Sequence, residues 1–130
     1  IVEDLSFVHD ISKVLRGSGV RLAIDNFSGS MVSRAHLKSI PFAEMKIKRN
    51  FVAKCDGSST EAVICQTLID LAHDLGCLAV AIGVEQKSEA RILQRMGCDI
   101  AQGYLYSQPL PSEQLVALLR RRIARKTTAA

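Results

Sequence analysis

Four short polar clusters stand directly behind apolar runs: Asp25-Asn26, Lys46-Ile47-Lys48, Ile82-Gly83-Val84-Glu85 and Gln102-Gly103-Tyr104. The carboxylates of Asp25 and Glu85 suit a hard cation or a general base. Lys46 and Lys48 suit phosphate oxygens, and the Gln102 amide suits a base edge or a phosphate. Plainer roles stand beside these. Asp25 can cap its loop by bonding Ser28 and Ser30 backbone groups. Lys46 and Lys48 can be solvated strand ends, or can pair with Asp25 or Glu85. Glu85 can hold a loop as an acceptor, and Gln102 can be a turn residue. His9, His36 and His73 have no base, nucleophile or ligand partner at useful spacing and read as surface or helix-face histidines. Ser28-Gly29-Ser30 lacks the lysine and flanks of a phosphate-cradling loop. Cys55, Cys65, Cys77 and Cys98 form no CxxC pair and no Cys/His cluster of zinc spacing. They read as reduced thiols packed as small hydrophobes, which suits a reducing cytoplasm.

The elements that must position these groups alternate along the chain. Leu5, Val8, Ile11 and Leu15 fall at helical spacing over residues 4–16, with Gly17 and Gly19 as stops. Residues 21–25 (RLAID) read as a buried parallel strand and 26–33 as a loop. The spacing predicts a short helix over 33–39 and a strand over 44–48. Ser58 with Glu61 predicts a capping box opening a helix from Thr60 to Leu75. A third strand is predicted over 77–84 and a helix from Lys87 to Met96, while residues 99–105 hold a short fourth strand and a turn. A last helix begins at Ser112, with Leu115, Leu118 and Leu119 on one side. It either packs on the domain or lies amphipathically on a membrane surface. Strands separated by helices imply repeated right-handed βα units. In such folds ligand residues gather at the carboxyl ends of strands, where the four polar clusters lie.

Composition narrows the classes. The chain has 130 residues, of which 48% are hydrophobic and 23% charged, so a packed domain is expected rather than disorder. No apolar run reaches the roughly 20 residues of a membrane span. The acidic first residues do not read as a signal peptide, and the chain begins at Ile1, as a processed fragment would. The net charge is +4, but Arg120, Arg121, Arg122, Arg125 and Lys126 account for five positive charges, leaving −1 elsewhere. The basicity belongs to a tail, and aromatics are only 5%, so a nucleic-acid face is not expected.

With these clusters in place, the chain resembles the EAL-type cyclic-di-GMP phosphodiesterase domain. G-V-R-L-A-I-D-N-F-S-G-S (19–30) is similar to the segment leading into that family's D-D-F-G-T-G loop. M-K-I-K-R-N-F-V (45–52) is similar to L-K-I-D-R-S-F-V, and A-I-G-V-E-Q (81–86) to A-E-G-V-E-T. G-C-D-I-A-Q-G-Y-L-Y-S-Q-P-L (97–110) is similar to the Q-G-Y segment. Order and spacing agree over residues 4 to about 118. The resemblance implies an α/β fold, specifically an incomplete TIM-like (βα) barrel of about four parallel strands with flanking helices, since a full barrel has eight. The family's EAL-x-R segment and its Asn are absent. Residues 1–118 therefore read as the C-terminal half of an N-terminally truncated EAL-like domain, and 119–130 as a basic helix end and tail. Ile1-Val2-Glu3 resembles the family's I-T-E, but an ungapped alignment back from Gly19 puts that glutamate before Ile1. Whether Glu3 is the metal glutamate stays open.

The resemblance also marks departures. Active relatives use Mg²⁺ or Mn²⁺, and the first Asp of D-D-F binds metal. Asp25 keeps that position, but Asn26 replaces the second Asp. Lys46 keeps the lysine that helps place the attacking water, but Lys48 stands where an Asp meets the metals. Ile82 replaces the first Glu of A-E-G-V-E. The second, which holds a loop, is kept as Glu85, and the Q-G-Y glutamine as Gln102. Two divalent ions about 4 Å apart need carboxylates to offset their repulsion. Lys48 turns an anion into a cation, and such a like-charge contact costs several kcal/mol at intermediate dielectric. No cofactor, functional metal site or catalytic residue is therefore expected. Asp25, Lys46 and Glu85 are vestiges, and any ligand binding falls to Asp25, Lys46 and Gln102. The expected function is an inactive, cytoplasmic EAL-like module of bacterial cyclic-di-GMP signalling, working through a protein partner or self-association, without nucleic acid or membrane. The alternatives are a cyclic-di-GMP sensor that does not hydrolyse its ligand, and an active phosphodiesterase.

Overall fold

The computed structural model describes residues 5–27, 34–55 and 59–128. Ten elements follow in order: α1 (Leu5–Gly17), β1 (Leu22–Phe27), α2 (Arg34–Ser39), β2 (Phe42–Ile47), α3 (Arg49–Val52), α4 (Thr60–Asp74), β3 (Leu78–Ile82), α5 (Lys87–Arg95), β4 (Ile100–Gln102) and α6 (Ser112–Thr128). The strands form one parallel sheet in the order β1-β2-β3-β4. Each of the first three is joined to the next by a crossover through a helix, the economical way to lay parallel strands side by side. The expected four-stranded α/β architecture is therefore present.

Strand alternation sorts the side chains onto two faces. Met45, Ile47, Ala79 and Ala81 are wholly buried on one face. They form a core with Cys65, Leu68, Ile69 and Ala72 of α4, Leu93 of α5, Val52 of α3 and Val84. The other face carries Ala23, Glu44, Lys46, Leu78, Val80, Ile82, Ile100 and Gln102, as the register pairs Ala23–Glu44–Leu78, Lys46–Val80–Ile100 and Ile82–Gln102 require. Val80 is buried there, but Leu78 and Ile100 are each 39% exposed.

Several local expectations change. The α4 cap is Ser59, whose Oγ accepts from the Ala62 amide at 3.1 Å. That register puts Glu61 in the second helical position, and Ser58 lies outside the described residues. Glu61 instead accepts from Lys54 at 3.3 Å. α3 was not expected: one turn is too short to show a helical period, yet Val52 is wholly buried. β1 runs on to Phe27, with a break in register between Ile24 and Phe27. β4 is only three residues long, because residues 103–105 turn back onto Val84. α6 runs unbroken across residue 118. Its Leu118 is half-buried and Arg122 Nη2 donates to the Tyr106 carbonyl at 3.1 Å, while Leu115, Val116 and Leu119 are about half exposed. The side of α6 expected to pack on the domain is thus only partly covered.

Candidate functional site

The carboxyl ends of the four strands bring the expected residues to one end of the sheet. Asp25 sits in the irregular stretch of β1 and is exposed. Bulges of this kind re-aim side chains beside functional sites. Asn26 follows in the same strand, but its side chain lies outside the described residues, as do Glu3, Ser28 and Ser30 and the side chain of His36. Lys46 is half-buried on the open face, and Lys48 is half-buried as the residue preceding α3. Ile82 ends β3 and Gln102 ends β4, paired with each other in register. Gln102 lines a cavity of about 350 Å³ with Gly103, Tyr104, Ser107, Leu110 and Leu115.

Glu85 is bound to Arg49, not to Lys46 or Lys48. Arg49 Nη1 donates to Glu85 Oε1, and also to the Gly83 carbonyl at 3.2 Å. That hydrogen bond holds the Glu85 carboxyl below its ordinary value and raises Arg49. Arg49 is the residue that sequence reasoning passed over. It lies within the M-K-I-K-R-N-F-V segment, and the arginine of L-K-I-D-R was the available signal.

The loop after β3 is held from three sides. Gly83 has φ +78°, and a Cβ there would lie 2.8 Å from the Arg49 side chain. Glu89 of α5 accepts from the Glu85 and Gln86 amides at 2.8 and 3.0 Å. The Val84 amide donates to the Gln102 carbonyl at 3.0 Å, and Leu105 donates back to the Val84 carbonyl at 3.1 Å. Gly103 is required by this contact, since a Cβ would lie 2.1 Å from the Val84 carbonyl oxygen. The Ile82–Glu85 and Gln102–Tyr104 clusters therefore form one rigid rim.

At the opposite end of the sheet, His73 pairs with Asp99. His73 Nε2 and Asp99 Oδ2 are 2.8 Å apart, and the Ala79 amide donates to the same oxygen at 2.8 Å. The Ala79 hydrogen bond, then His73, keeps the Asp99 carboxyl below its ordinary value. His73 is thus not isolated: its partner lies 26 residues along the chain, out of reach of a spacing argument. His9 lies 3.8 Å from Asp10. None of the four cysteines is in a disulfide, and Cys55, Cys65 and Cys77 are buried. Burial pushes the Cys65 thiol up to about 12, with Cys55 and Cys98 nearby adding to the effect.

The EAL domain family model matches residues 2–109, most of the chain. The chain belongs to the EAL domain family. It is 36% identical over 107 residues to MucR of Pseudomonas aeruginosa, a bifunctional diguanylate cyclase/cyclic di-GMP phosphodiesterase, covering 82% of this chain and 16% of that protein. The EAL domain of Mycobacterium smegmatis DcpA superposes with a TM-score of 0.82 at 35% identity, covering 92% of this chain and 54% of that one. Klebsiella pneumoniae BlrP1, in a manganese/cyclic-di-GMP complex, superposes with a TM-score of 0.71 at 30% identity, covering 83% and 28%. The chain thus spans less than a fifth of MucR and about half of the DcpA EAL-domain structure. EAL domains are TIM-like barrels. This chain presents four of the parallel strands of that architecture.

The donor set fits a two-metal EAL centre poorly. Among the described residues no three His, Cys, Asp or Glu side chains come together as metal ligands. Of the strand-end positions, Asp25 and Glu85 carry carboxylates, and Glu85 is engaged by Arg49. Lys48 brings a cation and Ile82 a hydrocarbon, neither of which ligates Mg²⁺ or Mn²⁺. No helix among the described residues is long and apolar enough to cross a membrane.

Proposed function

We propose that this EAL domain does not hydrolyse cyclic di-GMP and serves cyclic-di-GMP signalling as a regulatory, protein-interacting module. The observation that carries this reading is the pair Lys48 and Ile82 at strand ends where the family resemblance calls for acids. Lys46 and Gln102 share the open face and Asp25 sits in the bulge of β1 at the same end of the sheet, so any residual nucleotide contact falls to these three. Glu85 acts as the anchor of the β3 loop through Arg49, not as a base. The deciding experiment incubates the purified chain with cyclic di-GMP and Mn²⁺ or Mg²⁺ and follows the linear dinucleotide chromatographically. Product at the level of the blank is expected. Product that grows with protein concentration and vanishes with chelator overturns the reading.

A non-hydrolysing sensor is the second reading, favoured by the nucleotide-bound state of BlrP1 and by the retained Lys46 and Gln102. Calorimetry separates the two. A dissociation constant for cyclic di-GMP well below about 10 µM, with or without Mg²⁺, selects the sensor.

A further inference from the structure

Two cavities lie along one side of α5. The first, of about 270 Å³, runs between Leu93 and Gln94 of α5 and Ala101 of β4. The second, of about 350 Å³, lies between Lys87 of α5 and Leu105. Both are lined by Ala90, Arg91 and Tyr106, so they join into one groove. Lys87, Ala90, Arg91 and Gln94 recur at three- and four-residue steps, which puts them on one stripe of the helix. Leu105 is half-buried and Tyr106 is 40% exposed, so the opposite wall is an apolar surface that water still reaches.

Charge around the groove is one-sided. Lys87, Arg91 and Arg95 are exposed, and none has a carboxylate at ion-pair distance among the described residues. Arg122 of α6 donates to the Tyr106 carbonyl, which brings a fourth cation to the far wall. The acids nearby are already engaged. Glu89 accepts from the Glu85 and Gln86 amides, and Asp99 from the Ala79 amide beside His73. The groove is therefore an apolar slot between cations that lack a counter-ion among the described residues.

We propose that this groove docks a short acidic segment of a partner protein. One bulky apolar side chain of that segment sits between Ala90 and Tyr106, and the acids flanking it meet Lys87, Arg91 and Arg122. The stripe from Lys87 to Gln94 rises about 10 Å along the helix. That is the reach of about three extended residues, enough for one apolar side chain with an acid on each side. Exposed ion pairs are individually weak, so the apolar anchor supplies affinity and the cations select the charge. The proposal rests on the interaction-module reading and adds the chemistry of the partner.

Selection from a display library of short random peptides on the immobilised 130-residue chain tests it. The expected consensus is a bulky apolar residue with an acid on each side. The synthetic consensus peptide is expected to bind with a dissociation constant of about 1–100 µM. Lys87→Glu with Arg91→Glu, both at exposed positions, should keep the far-ultraviolet spectrum and weaken that peptide at least ~10-fold. Tyr106→Ala should weaken it at least ~10-fold with no change in charge, a loss that charge attraction alone does not give. Arg16→Glu, on α1 and outside the groove, should leave it unchanged. No enrichment over the bare support, a consensus without acids, an all-glutamate peptide that binds as well, or a double variant that binds normally each overturns the proposal. So does displacement of the peptide by phosphatidylglycerol vesicles, which would make the surface a lipid site. Following cyclic di-GMP hydrolysis on the same samples keeps the two readings apart. A groove that fails without product leaves the inactive module standing, whereas peptide binding with product overturns the inactivity and leaves the groove.

Discussion

The two faces of the sheet are made from the same four strands and differ in almost everything else. On one, Met45, Ile47, Ala79 and Ala81 lose all contact with water under α4. On the other, Leu78 and Ile100 keep over a third of their surface, and Lys46 and Gln102 stand among them. The covered face holds this chain together by hydrophobic burial. The open face carries the candidate-site residues Lys46 and Gln102 beside the buried Val80. Stability and function are thus separated by strand alternation alone, one residue to each side.

The largest effect should come from setting like substitutions against each other on the two faces. Ile47→Ala should cost about 2–5 kcal/mol in urea unfolding, the usual range for a buried aliphatic deletion. Ile100→Ala should change stability by no more than about 1 kcal/mol. Equal costs in dilute solution would erase the contrast. The rim comes next. Gly103→Ala should destabilise by about 1–3 kcal/mol, because its Cβ meets the Val84 backbone. Gly83→Ala should cost less, although φ +78° is strained for any L side chain, since the Arg49 stem can swing aside. Thermal melts that rank Gly83→Ala above Gly103→Ala would mean that the loop after β3 is stiffer than the turn after β4.

Acid should act on both ends of the sheet. The Asp99 and Glu85 carboxyls have folded values below their ordinary 3.8 and 4.5, so the unfolded chain takes up protons first. Their stabilisation is fully present above those values and is lost as pH falls through the lower folded ones. An Asp99→Asn variant should therefore lose part of the wild type's stability change between about pH 5 and pH 2. An unchanged acid profile would show that the His73 and Ala79 contacts do not hold in solution. The smallest effect is expected for Glu85→Gln. Both partners are largely exposed, so the melting temperature should barely move, while amide exchange at Val84 and Glu85 quickens. A large drop in stability would instead make the Arg49 pair a structural element of the core.

Much of the fold was legible because each strand is a short apolar run with a polar end. RLAID reads as a buried parallel strand by composition, EMKIK as a strand by alternation and CLAVAIGV as a third strand by its apolar run. The positions of Asp25, Lys46, Ile82, Glu85 and Gln102 at strand ends followed from the same pattern. Legibility failed where one turn or one tertiary contact decides. α3 is too short to have a period, and the α4 cap moved by one residue to Ser59. Arg49 met Glu85 across 36 residues, and His73 met Asp99 across 26. Such pairs are chosen by the packing of whole elements, not by neighbours in the chain.

The amino-acid sequence by itself determined the parallel α/β architecture, the order of the polar clusters and the presence of Lys48 and Ile82 at two strand ends. These are properties of residue type and spacing, which act locally or through a fixed strand period. Tertiary structure alone decided that Arg49 anchors Glu85, that Gly103 must yield space to Val84, and that one face of the sheet stays open. Those outcomes depend on which strand ends lie side by side and which helices have a second strand to cover. No local preference encodes that, because it is set by sheet closure, a property of all the strands together.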